Sequence, residues 1–126
     1  MAENKPDIAE RTFAFAVRIV TLCKALKRAG VFSDIVRQLL KSGTSVGANV
    51  AEAQSSQSRA DFVSRMSVAL KEGRETLFWL RLVGATESTF SARLGSVINE
   101  AEEIVRILVA IIGSAKRNGR NNGVTE

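Results

Sequence analysis

Apolar residues return every three or four positions through four successive segments of this chain, so each segment must hide one side of a helix. In the first, Ile8, Phe15, Ile19, Leu22 and Leu26 keep that spacing once Thr12 is included. Phe13, Ala16, Val17, Val20 and Cys23 widen the stripe, which then needs more than one neighbour. The second segment carries Ile35, Leu39, Val46 and Val50. The third carries Phe62, Met66, Ala69, Gly73, Leu77 and Leu80, broadened by Val63, Leu70 and Trp79. In the fourth, Leu94, Ile98, Ala101, Val105, Leu108 and Ile112 line up, with Val97, Ile104 and Ile111 beside them.

Punctuation between the stripes fits helix ends. Asp7 can cap the first helix while Glu10 reaches back, and Gly30 should close it. Ser33 is expected to cap the second, with Asp34 in its first turn complementing the helix dipole. Ser58 is expected to cap the third, with Asp61 completing the capping box, and Gly84 to Ser88 should end it. The predicted helices span about 7–29, 33–54, 58–84 and 89–116. They form one all-α domain over 1–117, an antiparallel up-down-up-down four-helix bundle, followed by an Asn- and Gly-rich tail over 118–126 expected to be disordered.

Composition narrows function more by exclusion than by indication. The chain has no His, one Cys and one Pro among 126 residues. Without histidine, the usual two-metal bundle site and any Ser-His or Cys-His nucleophile system cannot be built. The glycines match no phosphate-binding loop, and Cys23 sits on the apolar side of helix one, where a small core residue belongs. No enzyme, cofactor or metal is expected. No secretory leader is expected, since Met1 to Asp7 is polar, and the most apolar run, Ile107 to Ile112, is far short of the ~20 residues that span a bilayer. A single Cys suits a reducing compartment, so a cytoplasmic protein without membrane contact is expected.

Gly43 and Gly47 fall four apart inside helix two, with Ala51 continuing their face. Each glycine costs about 1 kcal/mol against alanine in a helix interior, so close approach of another helix is expected to compensate. The alternative is a break within Ser42 to Gly47. Asn49 and Glu52 form a polar pair at the end of helix two. They read either as a ligand or subunit contact, or as groups satisfied internally, Glu52 by Arg59 or Arg74 and Asn49 by backbone at the joint. On helix three Lys71 and Glu75 can pair, and on helix four Arg106 follows Glu102 by four.

The net charge is +5, which makes anionic partners plausible, nucleic acid first. Arg11, Arg18, Lys24 and Arg28, with Lys27 beside them, are expected to follow one side of helix one. Lys116, Arg117 and Arg120 extend from helix four, and an antiparallel bundle would bring Arg11 and this basic end into one positive zone. About five engaged phosphates would give a salt slope near −3.5 on single strands.

The stretch from Gln38 through Ser42-Gly-Thr-Ser-Val-Gly-Ala-Asn-Val-Ala-Glu to Ala53, then Ser58-Arg-Ala-Asp-Phe62 and Ala69-Leu-Lys-Glu-Gly-Arg-Glu-Thr-Leu-Phe-Trp-Leu-Arg-Leu-Val83, resembles a bacterial family of four-helix bundle proteins. Its first members were encoded within the intervening sequence of large-subunit ribosomal RNA genes. The Asn49-x-x-Glu52 pair, the Ser58-x-x-Asp61-Phe opening and the Glu75-Thr-x-x-Trp-Leu run carry the likeness, which covers nearly the whole chain. The resemblance implies an antiparallel bundle assembling into rings, commonly pentamers. It extends to the accessory variability proteins of diversity-generating retroelements, which assist a reverse transcriptase and its template RNA. The implied function is a homo-oligomeric accessory protein binding RNA or DNA through a basic surface. The other implied role is a scaffold for a protein partner such as a polymerase.

Overall fold

The computed structural model describes residues 7–125, with side chains described to residue 119. Four helices follow one another: α1 (Ile8–Arg28), α2 (Ser33–Ala53), α3 (Arg59–Thr86) and α4 (Ser91–Thr125). A short 3-10 turn, Ser88–Phe90, precedes α4. Gly43 of α2 faces Ile19 of α1, and Gly47 faces Thr12. Gly73 and Gly84 of α3 face Val105 and Leu94 of α4. Arg11 and Arg18 of α1 bond Glu100 and Ser96 of α4. In each set one residue number rises as the other falls, so these neighbours run antiparallel. α2 and α3, joined through residues 54–58, also pack directly. The architecture is an all-α four-helix bundle, and no helix among the described residues is long and apolar enough to cross a membrane.

The ends of the helices follow local chemistry. Asp7 Oδ1 accepts the Glu10 N–H at 2.8 Å, and Ser58 Oγ accepts the Asp61 N–H at 3.0 Å. Each satisfies a donor that the first helical turn leaves free. α1 stops at Gly30, whose φ of +80° suits a residue without Cβ. There Gly30 N–H donates to Lys27 O at 3.0 Å and Val31 N–H to Leu26 O at 3.1 Å, the paired bonds of a Schellman ending. Three boundaries differ from the sequence expectation. Phe32, not Ser33, occupies the cap of α2, where its carbonyl accepts from Ile35 and Val36 and no side chain caps. α3 runs two residues past the expected 84 and ends at Thr86, within the Gly84 to Ser88 stretch expected to close it. α4 does not stop at Lys116 but runs helical through Thr125, where a disordered tail was expected from 118; a packed helix extends by one bond per residue without new nucleation. Glu126 and residues 1–6 lie outside the described residues.

The interior is built by the four stripes. Phe15, Ile19, Leu22 and Leu26 meet Leu39, Val46 and Val50 from α2, Met66 and Leu80 from α3, and Leu94, Ile104 and Leu108 from α4. Ile35, Phe62, Ile98 and Val105, expected inside, pack at its margin. Thr12 and Thr76 are fully buried, and each hydroxyl donates at 2.7 Å to a carbonyl one turn back, Ile8 and Glu72 respectively. α2 is continuous through Ser42 to Gly47. The two glycines there admit α1: a Cβ at Gly43 would lie 2.8 Å from Ile19 Cγ2, and one at Gly47 would lie 3.0 Å from the Thr12 carbonyl oxygen. Ala51, expected on the same face, is exposed and takes no part in that approach. The other seam is looser. α1 and α4 meet only sparsely, and a groove of about 710 Å³ lined by Arg11, Phe15, Glu100 and Glu103 opens between them.

Candidate nucleic-acid interface

The basic residues of helix one divide into two groups with different surroundings. Arg11 and Arg18 are seven residues apart and share the side facing α4. From Arg18 to Lys24 is six residues, about 240° around a helix of 3.6 residues per turn. Lys24 and Arg28 therefore stand on the outer side instead, with Lys27 beside them. The expected single basic line does not exist.

Arg11 is already engaged. Its Nε and Nη2 donate to the two carboxylate oxygens of Glu100, each at 2.8 Å, and Nη2 also reaches Glu103 at 2.8 Å. Hydrogen bonding to Glu100 and then Glu103 drives the guanidinium's pKa further up, while the Arg11 hydrogen bond holds the Glu100 carboxyl below its usual range. Arg18 donates to Ser96 Oγ at 2.8 Å. Arg11 also fails to join the basic end of α4. It lies level with Glu103, and from 103 to 116 the helix axis climbs about 20 Å. Lys116 and Arg117 are exposed near the start of α3, at the end of the bundle opposite Lys24, Lys27 and Arg28. The side chain of Arg120 lies outside the described residues.

Lys24, Lys27 and Arg28 remain as a coherent cluster. All three are exposed on the last turns of α1, and among the described residues none meets a carboxylate within ion-pair distance. Across the joint, Asp34 is occupied by Arg37 at 2.8 Å.

The polar residues singled out in the sequence have internal partners. Asn49 Nδ2 donates to Ser45 O at 2.8 Å, within α2 and not at the joint. Glu52 pairs across to α3, but with Arg65 at 2.6 Å, not Arg59 or Arg74. Asp61 lies 3.9 Å from the same arginine. Glu75 does not pair with Lys71; its Oε2 accepts the Trp79 Nε1–H at 3.2 Å. Glu102 turns from Arg106 to Arg81 of α3, at 3.0 Å. The Cys23 thiol is buried against Val36, and burial pushes it up to about 11, which disfavours the reactive thiolate. Among the described residues no group of three or more His, Cys, Asp or Glu could hold a metal ion.

Two features escaped the sequence. Glu100 and Glu103 carry no local pattern that marks them; only the antiparallel register sets them level with Arg11. Phe78, outside the apolar stripe that the spacing picks out, stands in an exposed row with Lys71, Arg74 and Arg81, spaced three and four apart.

No curated protein matches the chain. A solved structure from Bacteroides thetaiotaomicron, described as a protein of unknown function from the S23 ribosomal protein family, is 42% identical. It covers 83% of this chain and 97% of its own, with a TM-score of 0.78. The model of the 23S rRNA-intervening sequence protein family matches residues 4–110. With four helices in a bundle and its sequence matched over residues 4–110, the chain belongs to the 23S rRNA-intervening sequence protein family.

Proposed function

We propose that this chain is a non-enzymatic, oligomeric accessory protein of the cytoplasm that binds RNA or DNA without reading its sequence. The Lys24–Lys27–Arg28 cluster supports this reading. Cations at a helix C-terminus complement the dipole, but three together, exposed and without carboxylate partners, exceed that need. Arg11 and Arg18, tied to α4, are set aside as phosphate ligands. Phosphate contacts of this kind position a nucleic acid and supply affinity without specificity.

Phe13 and Val17, 70% and 50% exposed, stand one turn apart on the outer side of α1. Covering them with further copies would gather several basic ends into one particle and raise avidity with no new contact type. Family resemblance favours five copies.

A salt titration of binding to a short oligonucleotide tests the reading. Three phosphate contacts give a slope of about −2 in log affinity against log salt on single strands. The variant K24E/K27E/R28E should lose most of the affinity at low salt. Binding that is absent in the parent protein, or unchanged in that variant, refutes the reading. A multimer that binds no nucleic acid leaves the protein-scaffold role.

A further inference from the structure

We infer that the outer row of α3 is a stacking platform for unpaired nucleotides, with Phe78 as the ring and Arg74 and Lys71 as phosphate contacts. This rests on the reading that the chain binds nucleic acid, and it names the form taken: single-stranded RNA or DNA.

Lys71, Arg74, Phe78 and Arg81 follow each other at three, four and three residues, which places them on one stripe about 15 Å long. All four are exposed. Phe78 is 57% exposed although the core has no use for it. Its ring is nevertheless braced. Glu75 takes the Trp79 indole N–H at 3.2 Å, and Trp79 meets Phe78 edge-on, with centroids 5.0 Å apart and planes at 80°. The Glu75 contact has a second effect: the carboxylate that could have neutralised Lys71 is turned elsewhere. Arg74 likewise has no carboxylate within ion-pair distance among the described residues, while Arg81 is shared with Glu102.

A fixed aromatic ring beside two unneutralised cations, Lys71 and Arg74, matches what single strands offer, a base face beside phosphates. A paired base keeps its faces inside the duplex, so the platform discriminates against double strands. Phe13, by contrast, has Val17 as its neighbour along α1 and suits contact with another copy.

The test compares the full chain with F78A and F78W, on single-stranded RNA, single-stranded DNA and duplex DNA of one sequence. F78A should weaken single-strand binding about tenfold, from the known effect of removing one stacking ring, and leave duplex binding unchanged. F78W should restore it. The salt slope should not move, because the ring neutralises no phosphate. Equal losses on RNA and DNA assign the contact to the base; a loss confined to RNA points to the ribose hydroxyl and overturns stacking. If F78A binds as the parent does while K24E/K27E/R28E does not, the platform fails and the wider reading survives. If the parent binds nothing at low salt, both fail. If F78A lowers the assembled mass without changing affinity, the ring is a contact between copies and the platform is overturned.

Discussion

Gly43 and Gly47 show how much can rest on a missing methyl group. Alanine is the better helix former by about 1 kcal/mol, so a glycine in mid-helix should be easy to improve. Here the added Cβ of Gly47→Ala would press on the Thr12 carbonyl, which belongs to the backbone of a packed helix and cannot swing away. At Gly43 it would press on both branches of Ile19, which is fully buried. Both substitutions should destabilise the protein by about 1–3 kcal/mol in urea melts. Gly95 provides the contrast, since a Cβ there meets nothing within 4 Å. Gly95→Ala should stabilise by roughly 0.5–1 kcal/mol. If Gly47→Ala and Gly95→Ala moved the urea midpoint alike, close approach of α1 and α2 would not be what the glycine serves.

Between elements, the α1–α4 seam is the one closed by charge more than by packing. Arg11 lowers the Glu100 pKa, so the carboxylate's contribution is fully present above its ordinary value of 4.5 and is lost as pH falls through the depressed folded value. E100Q should accordingly be less stable than the parent at pH 7, and the gap should close as the pH is brought toward 3. Urea midpoints at pH 7, 5 and 3 measure it; a gap that persists in acid would mean that shape and not charge matters there. The seam also marks where the sequence stops being readable. The stripes gave the number and order of helices, because burial imposes a period that local residues alone reveal. The caps at Asp7 and Ser58 were equally legible, each being a side chain bonding three residues on. Partners across helices were not. Glu52 chose Arg65, Glu102 chose Arg81 and Arg11 chose Glu100, choices set by register, which no local pattern encodes. The basic line on helix one failed for a simpler reason, since six residues is not a whole number of turns.

For the molecule as a whole, Lys24, Lys27 and Arg28 stand at one end, Lys116 and Arg117 at the other, and the exposed Phe13 and Val17 on α1 between them. Phe13 and Val17 have no partner inside the described residues that would explain their exposure, and they are the residues through which copies should meet. F13S/V17S should lower the mass measured by sedimentation at micromolar concentration while the circular-dichroism spectrum stays helical. A parent protein that sediments as a monomer would remove the assembly from the proposed function. Of the candidate interface, the sequence showed the basic residues of α1 but not their surroundings, and among those described only Lys24, Lys27 and Arg28 lack a partner on another helix.

Three of the four edges of this bundle are closely packed, and the fourth is held chiefly by one arginine gripping two acids, with the Arg18–Ser96 bond beside it. Such an object behaves like a book with a clasp. Protonating Glu100 would loosen the clasp, leaving Arg11 on Glu103 and Arg18 on Ser96, without touching the spine formed by α2 and α3. Because Arg11 holds the Glu100 carboxyl below its usual range, that clasped edge should stay shut through mild acid and slacken only as the pH falls through the depressed value.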